Sequence, residues 1–265
     1  MRNNKFMRLF HYDMIIGFRQ NWLKLLAGLF LLIFICGVTM VYLGENHGGV
    51  MYLADILKGA QEYIAAGSSE FTLPVVWLIL HLYILFIVCT FPMNDLKGFG
   101  KNILLFCADR KKWWYSKCLW IVTTVTGFIL VLWIVMLALS GLSGNGFLGK
   151  VAGADELLGL NINTHNIAYM FLLPLVVLIA LGLVQSLLSL VTNPVLGYMA
   201  SIVLLCASVY WKTPWLIGNY SMLLRLSPFT HGGIPVWSGL ILCSIVGVVC
   251  WLGGAVVIKK HDIIN

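Results

Sequence analysis

Six stretches of this chain are continuously apolar over the length a helix needs to cross a hydrocarbon core, about 20 residues: 24–43, 73–93, 119–140, 167–191, 195–211 and 234–258. Apart from Lys24 at the edge of the first, none of them holds Asp, Glu, Lys or Arg. A chain of 265 residues cannot hide that much apolar surface in a core of its own, because a molecule of this size leaves much of its surface facing solvent. With 60% hydrophobic residues, 10% charged residues and a mean hydropathy of +0.94, that solvent is lipid. The stretches lack the alternation of membrane strands, so the expected fold is all-α, a polytopic integral membrane protein with six transmembrane helices. The fifth is the shortest, and Tyr210, Trp211 and Trp215 supply an aromatic belt at its end.

The net charge of +7 is read by position, since Lys and Arg near span ends are retained on the cytoplasmic side. Thirteen of the 17 cations fall in residues 1–24, in the segment between spans 2 and 3, and in the C-terminal tail. The alternate segments hold Lys58, Lys150, Lys212 and Arg225 together with six acidic residues. Both termini are therefore expected in the cytoplasm, in agreement with an even number of spans. Residues 1–23 are not expected to be a cleaved signal, because no clean small-residue cleavage site follows the first apolar run. Phe6, Phe10, Met14 and Phe18 recur every four residues there, which suits a helix lying in the headgroup plane, although Asp13 interrupts the stripe. An ordinary positive flank of span 1 is the alternative.

Of seven cysteines, Cys36, Cys89, Cys206, Cys243 and Cys250 fall within spans, and Cys107 and Cys118 in the segment after span 2, so no extracellular disulfide is expected. Neither cysteines nor histidines show zinc spacing, and no metal site is expected. Residues 144–150, GNGFLGK, match a dinucleotide fingerprint and most of a phosphate loop, but Val151 stands where magnesium binding needs Ser or Thr, and a glycine-rich turn explains the pattern. His81 alone of the histidines lies within a span, where a neutral imidazole commonly hydrogen-bonds a neighbouring helix. No nucleophile motif appears and no carboxylate lies at membrane depth, so neither a membrane hydrolase nor an ion-coupled carrier is indicated. Outside, Leu53, Ile56, Leu57, Ala60 and Ile64 share one helical face, which predicts an amphipathic helix there.

The most informative segment is Asn94–Cys118, NDLKGFGKNILLFCADRKKWWYSKC. An acidic, glycine-containing start leads to a short apolar run, then to Arg110, Lys111 and Lys112, and then to Trp113, Trp114 and Tyr115 before Lys117. Trp and Tyr beside Lys and Arg suit a helix anchored at the headgroups, while the apolar run needs a surface to cover it. That surface is either another protein or the membrane interface, with the basic cluster on anionic lipid.

Six spans, a basic interfacial N-terminus, and a span 2–3 loop reading Asp-x-x-Gly, Leu-Leu, Arg-x-x-x-x-x-Ser-Lys resemble the permease subunit of type-2 ABC exporters. The matching positions are Asp95, Gly98, Leu104, Leu105, Arg110, Ser116 and Lys117, with Asp95 and Gly98-Phe99 where the family often has Glu and Gly-Thr. The resemblance implies that residues 94–118 form a coupling loop against a cytoplasmic ATP-binding cassette subunit, which would carry ATP and magnesium. It implies that 1–23 is the helix before span 1, and that 212–233, with Arg225 and Pro228, is an extracellular re-entrant turn. It further implies a second permease copy or paralogue, with the substrate pathway between the two.

One transmembrane permease domain, 1–265, is thus expected in the bacterial plasma membrane. It has no catalytic residues, no cofactor of its own and no nucleic-acid partner, and it moves an apolar or amphipathic peptide, lipid or drug. Thr39, His81, Gln185, Ser186 and Ser189 are candidates for the substrate path, although Ser and Thr commonly bond their own helix backbone. The alternative is a non-transporting scaffold or immunity protein that works without an ATPase.

Overall fold

A computed structural model of the chain describes residues 3–44, 47–63, 71–97, 110–142, 144, 146 and 157–260. The long apolar runs become helices because a backbone in lipid must satisfy its own amides and carbonyls. In order they are α1 (Asn3–Leu43), α2 (Gly49–Leu57), α3 (Val75–Cys89), α4 (Phe91–Lys97), α5 (Arg110–Leu142), α6 (Ile167–Val191), α7 (Pro194–Tyr210) and α8 (Val236–Lys260). Two short 3-10 helices, Ile217–Ser221 and Leu223–Arg225, separate α7 from α8. Among the described residues there is no strand, only an isolated bridge between Leu226 and Ile234.

Among the described residues, five helical segments are long and apolar enough to cross a membrane: Phe6–Leu43, Val75–Leu96, Arg110–Leu142, Ile167–Val191 and Val236–Lys259. The sixth expected span, Pro194–Tyr210, is apolar but has 17 residues, roughly 26 Å of helix against a hydrocarbon core of about 30 Å. The chain is an all-helical membrane protein. α6 is its hub and packs on α8, α7, α5 and α3, whereas α1 leans mainly on α5. Only 28% of the apolar windows of α1 and α8 is buried, against 56% for Val75–Leu96, so these two helices present the widest apolar faces outward. Phe30, Phe34 and Val41 on α1 and Trp237, Ile241 and Val249 on α8 are among the exposed residues.

Local sequence explains the sharp corner between α6 and α7. Pro194 occupies the first turn of α7, where no amide donor is required, and the Asn193 side chain accepts the Leu196 amide at 2.9 Å. Gly197 then brings the α7 backbone against Gln185 and Ser189 of α6, where a Cβ would strike backbone atoms.

Several expectations change on meeting the fold. Residues 3–23 are not a separate helix, because α1 runs unbroken for 41 residues, roughly 60 Å, about twice a hydrocarbon core. Before residue 24 the face it buries in the bundle lies beside the phenylalanine stripe. Asp13, Gly17 and Asn21 are buried, while Phe6, Phe10 and Met14 are half-buried and Phe18 is exposed. The span 2–3 segment is shorter than 94–118, since α4 reaches Lys97 and α5 already begins at Arg110. Trp113 and Trp114 do not anchor at headgroups. They are 1% and 0% exposed, because their indoles find acceptors inside the bundle. The helix expected outside, α2, ends at Leu57 and is buried almost all round, Asp55 being the half-buried exception, rather than showing one polar face to solvent. Ile64 of that expected stripe lies outside the described residues.

Candidate functional site

Three helices meet at a buried charged cluster at the end of the bundle that gathers the N-terminal part of α1, α4 and the first turns of α5. Lys117 Nζ lies 2.7 Å from Asp13 Oδ1 and 2.7 Å from Asp95 Oδ2. Ser116 donates its hydroxyl to Asp13 Oδ2 at 2.5 Å, and the Trp113 indole donates to Asp95 Oδ2 at 3.0 Å. The Lys117 ammonium also stands 4.5 Å from the Phe91 ring centre and 5.3 Å from that of Trp113. Side-chain exposure of Lys117, Asp13 and Asp95 is 0%, 1% and 3%, so water screens none of these contacts. Trp113, Ser116 and Lys117 fall on one face of α5 by i, i+3, i+4 spacing, which lets one helical surface receive a carboxylate from each of two other elements.

Neighbouring contacts brace the same end. Arg110 donates to the Lys259 carbonyl at 3.0 Å and fastens the start of α5 to the end of α8. Trp114 donates to the Trp251 carbonyl at 2.9 Å and packs over Gly254 of α8. Lys24 donates to Thr90 Oγ1 at 3.0 Å, and Tyr83 donates to the Lys24 carbonyl at 2.8 Å.

Of the coupling-loop positions, then, Asp95, Ser116 and Lys117 come together, and Arg110 serves a different pair of helices. Gly98, Leu104 and Leu105 lie outside the described residues, as does Cys107. The sequence reading missed Asp13 and Trp113. Asp13 had announced itself: a carboxylate among apolar residues, on a face that packs, requires a cation.

At the opposite end Arg225 is fully buried and works as a cap. Its guanidinium donates to the carbonyls of Ser208, Val209 and Trp211 at the end of α7, to Ala60 and Gln61 beyond α2, and to Asn219 Oδ1. The last turn of a helix leaves such carbonyls without amide partners, and a planar five-donor fork can serve several at once. Burial lowers the Arg225 pKa to about 10, with the Glu62 carboxylate opposing that shift, so it stays charged at neutral pH.

The family described as "Protein of unknown function (DUF2705)" matches residues 28–264. This chain belongs to that family. The match covers α5, Asp95, Lys117 and Arg225, and begins after Asp13. No curated protein matches the chain.

The substrate-path candidates are buried inside the chain rather than on its outer faces. Thr39 bonds the Ile35 carbonyl of its own helix at 3.0 Å, and Ser189 bonds that of Gln185 at 2.7 Å. Gln185 reaches across to the Leu85 carbonyl of α3 at 3.0 Å. His81 is fully buried, with Nδ1 2.8 Å from the Trp77 carbonyl and its ring 4.3 Å from that of Trp77, centre to centre. Ser186 is buried beside Gln185. None of the five lines the cavities of about 650, 590 and 570 Å³ found among the described residues. Gln185 thus ties α6 to α3, whereas the Ser189 bond stays within α6. Among the described residues, no group of three His, Cys, Asp or Glu side chains could hold a metal ion.

Proposed function

We propose that this chain is the permease subunit of a type-2 ABC exporter, six spans with both termini in the cytoplasm of a bacterial plasma membrane, driven by a separate ATPase subunit. The observation that carries the reading is the Asp13–Lys117–Asp95 cluster. It fastens together the helix before the 98–109 segment, the helix after it, and α1. A force applied to that segment by a partner therefore cannot be absorbed by slack at its ends. It passes into α1 and α5, which pack along each other and would rock as a unit. Removing one partner of such a buried pair costs about 3–5 kcal/mol, so the corner resists being pulled apart.

Partner contact would fall to the segment itself and to the exposed Lys111, since Asp95, Ser116 and Lys117 are turned inward. ATP and magnesium belong to the partner, and the chain contributes no catalytic residue. Two permeases, identical or paralogous, would frame the pathway. The apolar runs hold no carboxylate to bind an ion, which favours an apolar or amphipathic cargo, a peptide, lipid or drug.

Gentle extraction tests this directly. The expected result is a stoichiometric partner of about 25–35 kDa, one or two ordinary domains, carrying a phosphate-binding loop. Lys111→Glu should weaken that association and leave the thermal midpoint of the permease unchanged. Absence of any such partner would favour a scaffold or immunity protein instead.

A further inference from the structure

Two of the buried thiols face each other across the seam between α5 and α8. The helices run antiparallel there, and their register is set by contacts: Arg110 donates to the Lys259 carbonyl, Trp114 donates to the Trp251 carbonyl and packs over Gly254, and the Tyr115 and Trp251 rings stand 5.0 Å apart. One turn along α5 from Trp114 is Cys118, and one turn back along α8 from Gly254 is Cys250. The register that seats the indole on the glycine therefore brings the two cysteines opposite each other. Both are free, both are 4% exposed, and each lies within electrostatic reach of the other. Cys118 also lines the groove of about 650 Å³ whose walls include the exposed Leu119 and Val248, which gives a small neutral species a way in from the outer face.

We propose that Cys118 and Cys250 form a two-thiol site for one soft divalent cation of the mercuric class, held between α5 and α8 as a neutral bis-thiolate. Each thiol gives its proton to the medium, two S–H bonds are replaced by two metal–sulfur bonds, and no electron changes hands. Ligand number and the dryness of the seam select the ion. Zinc closes a structural site with four ligands, and among the described residues no group of three His, Cys, Asp or Glu side chains could help to supply them. A monovalent soft ion between two thiolates would leave a net negative charge away from water, which is costly. A divalent ion that takes two sulfurs in line leaves none, and thiolate is the donor that soft ions prefer. Two metal–sulfur bonds of about 2.3 Å end to end span roughly 4.6 Å. A metal bridge therefore asks less movement of the helices than a disulfide, which must draw the sulfurs to about 2.05 Å.

The test uses the full chain in neutral detergent, incubated with mercuric chloride, washed with excess glutathione and weighed by native mass spectrometry. Glutathione should strip ions held by single cysteines, whereas two thiols fixed on one seam hold theirs through a high effective concentration. The expected result is one mercury retained per chain, with a mass gain smaller than the ion by two protons, and a raised thermal midpoint. Cys118→Ala and Cys250→Ala should each lower retention at least about ten-fold, and the double variant should lose no more than either alone, because the two thiols act as one site. Cys118→Val and Cys250→Val repeat the measurement should an alanine variant elute aggregated, and Cys36→Ala should keep the ion. No mercury retained by the wild type, retention by either single variant, a double variant that loses more than the singles, or loss of two protons with no metal in the mass, the mark of a disulfide, would each overturn the proposal.

Discussion

Lys117 is one cation shared by two buried carboxylates, so the corner it holds carries a formal charge of −1, and its members are not equivalent. Lys117→Met would leave Asp13 and Asp95 facing each other unpaired, at a cost of about 3–5 kcal/mol. Asp13→Asn or Asp95→Asn keeps a neutral ion pair and an amide of the same shape, so each should cost no more than about 1.5 kcal/mol. Thermal unfolding in detergent measures all three, and equal losses would contradict the shared-cation geometry. Arg225 obeys different arithmetic, because its partners are carbonyls from two separate segments and the Asn219 amide oxygen rather than a carboxylate. Lys at that position keeps the charge but not the fork, and Arg225→Lys should cost roughly 2–3 kcal/mol in the same assay. Both clusters were half-visible in the sequence. Asp95, Ser116 and Lys117 were picked out through the family resemblance, and Arg225 by its place before Pro228. Asp13 was visible only as an interruption, because the residue that explains it stands 104 positions away.

At the scale of elements, the seam between α1 and α5 depends on a missing side chain. Gly17 faces the Trp120 indole so closely that a Cβ would overlap the ring, whereas Gly37 on the same helix has nothing within 4 Å. Gly17→Ala should therefore destabilise by about 1–3 kcal/mol, and Trp120→Leu in the same chain should recover part of the loss. Gly37→Ala should be neutral or slightly stabilising, since alanine is the better helix former. A matching response at the two glycines would show that the seam is looser than described. The N-terminal segment shows the same logic. Phe6, Phe10, Met14 and Phe18, at four-residue spacing, stay half-buried or exposed, while the adjacent Asp13, Gly17 and Asn21 line is what α1 buries. In lipid, apolar residues lose nothing by facing outward, so the polar and small residues mark the contact instead.

For the whole molecule, the cation-rich segments cluster at one end. Asp13, Asp95, Arg110, Lys117 and the Lys259 carbonyl are joined there, while α2, Arg225 and both 3-10 helices lie at the other. The proposed orientation, termini in the cytoplasm, requires that a cysteine placed at Trp215, which is 81% exposed, react with an impermeant maleimide in intact cells of a cysteine-free background. One placed at Lys111 should react only after lysis. The reverse labelling pattern would invert the molecule and remove the ATPase from reach of residues 98–109.

The sequence by itself determined that this chain is helical and lives in a bilayer, because the length of an apolar run and the absence of charge within it are local properties set by the thickness and dryness of lipid. It also marked out the segment between the second and third apolar runs, because polar residues crowded between such runs are conspicuous. Only the tertiary structure decided which of those residues meet. The choice of Asp13 for Lys117, of five distant carbonyls for Arg225, and of glycine as the seat for Trp120 depends on how helices far apart in sequence lie side by side. No pattern within one helix carries that information.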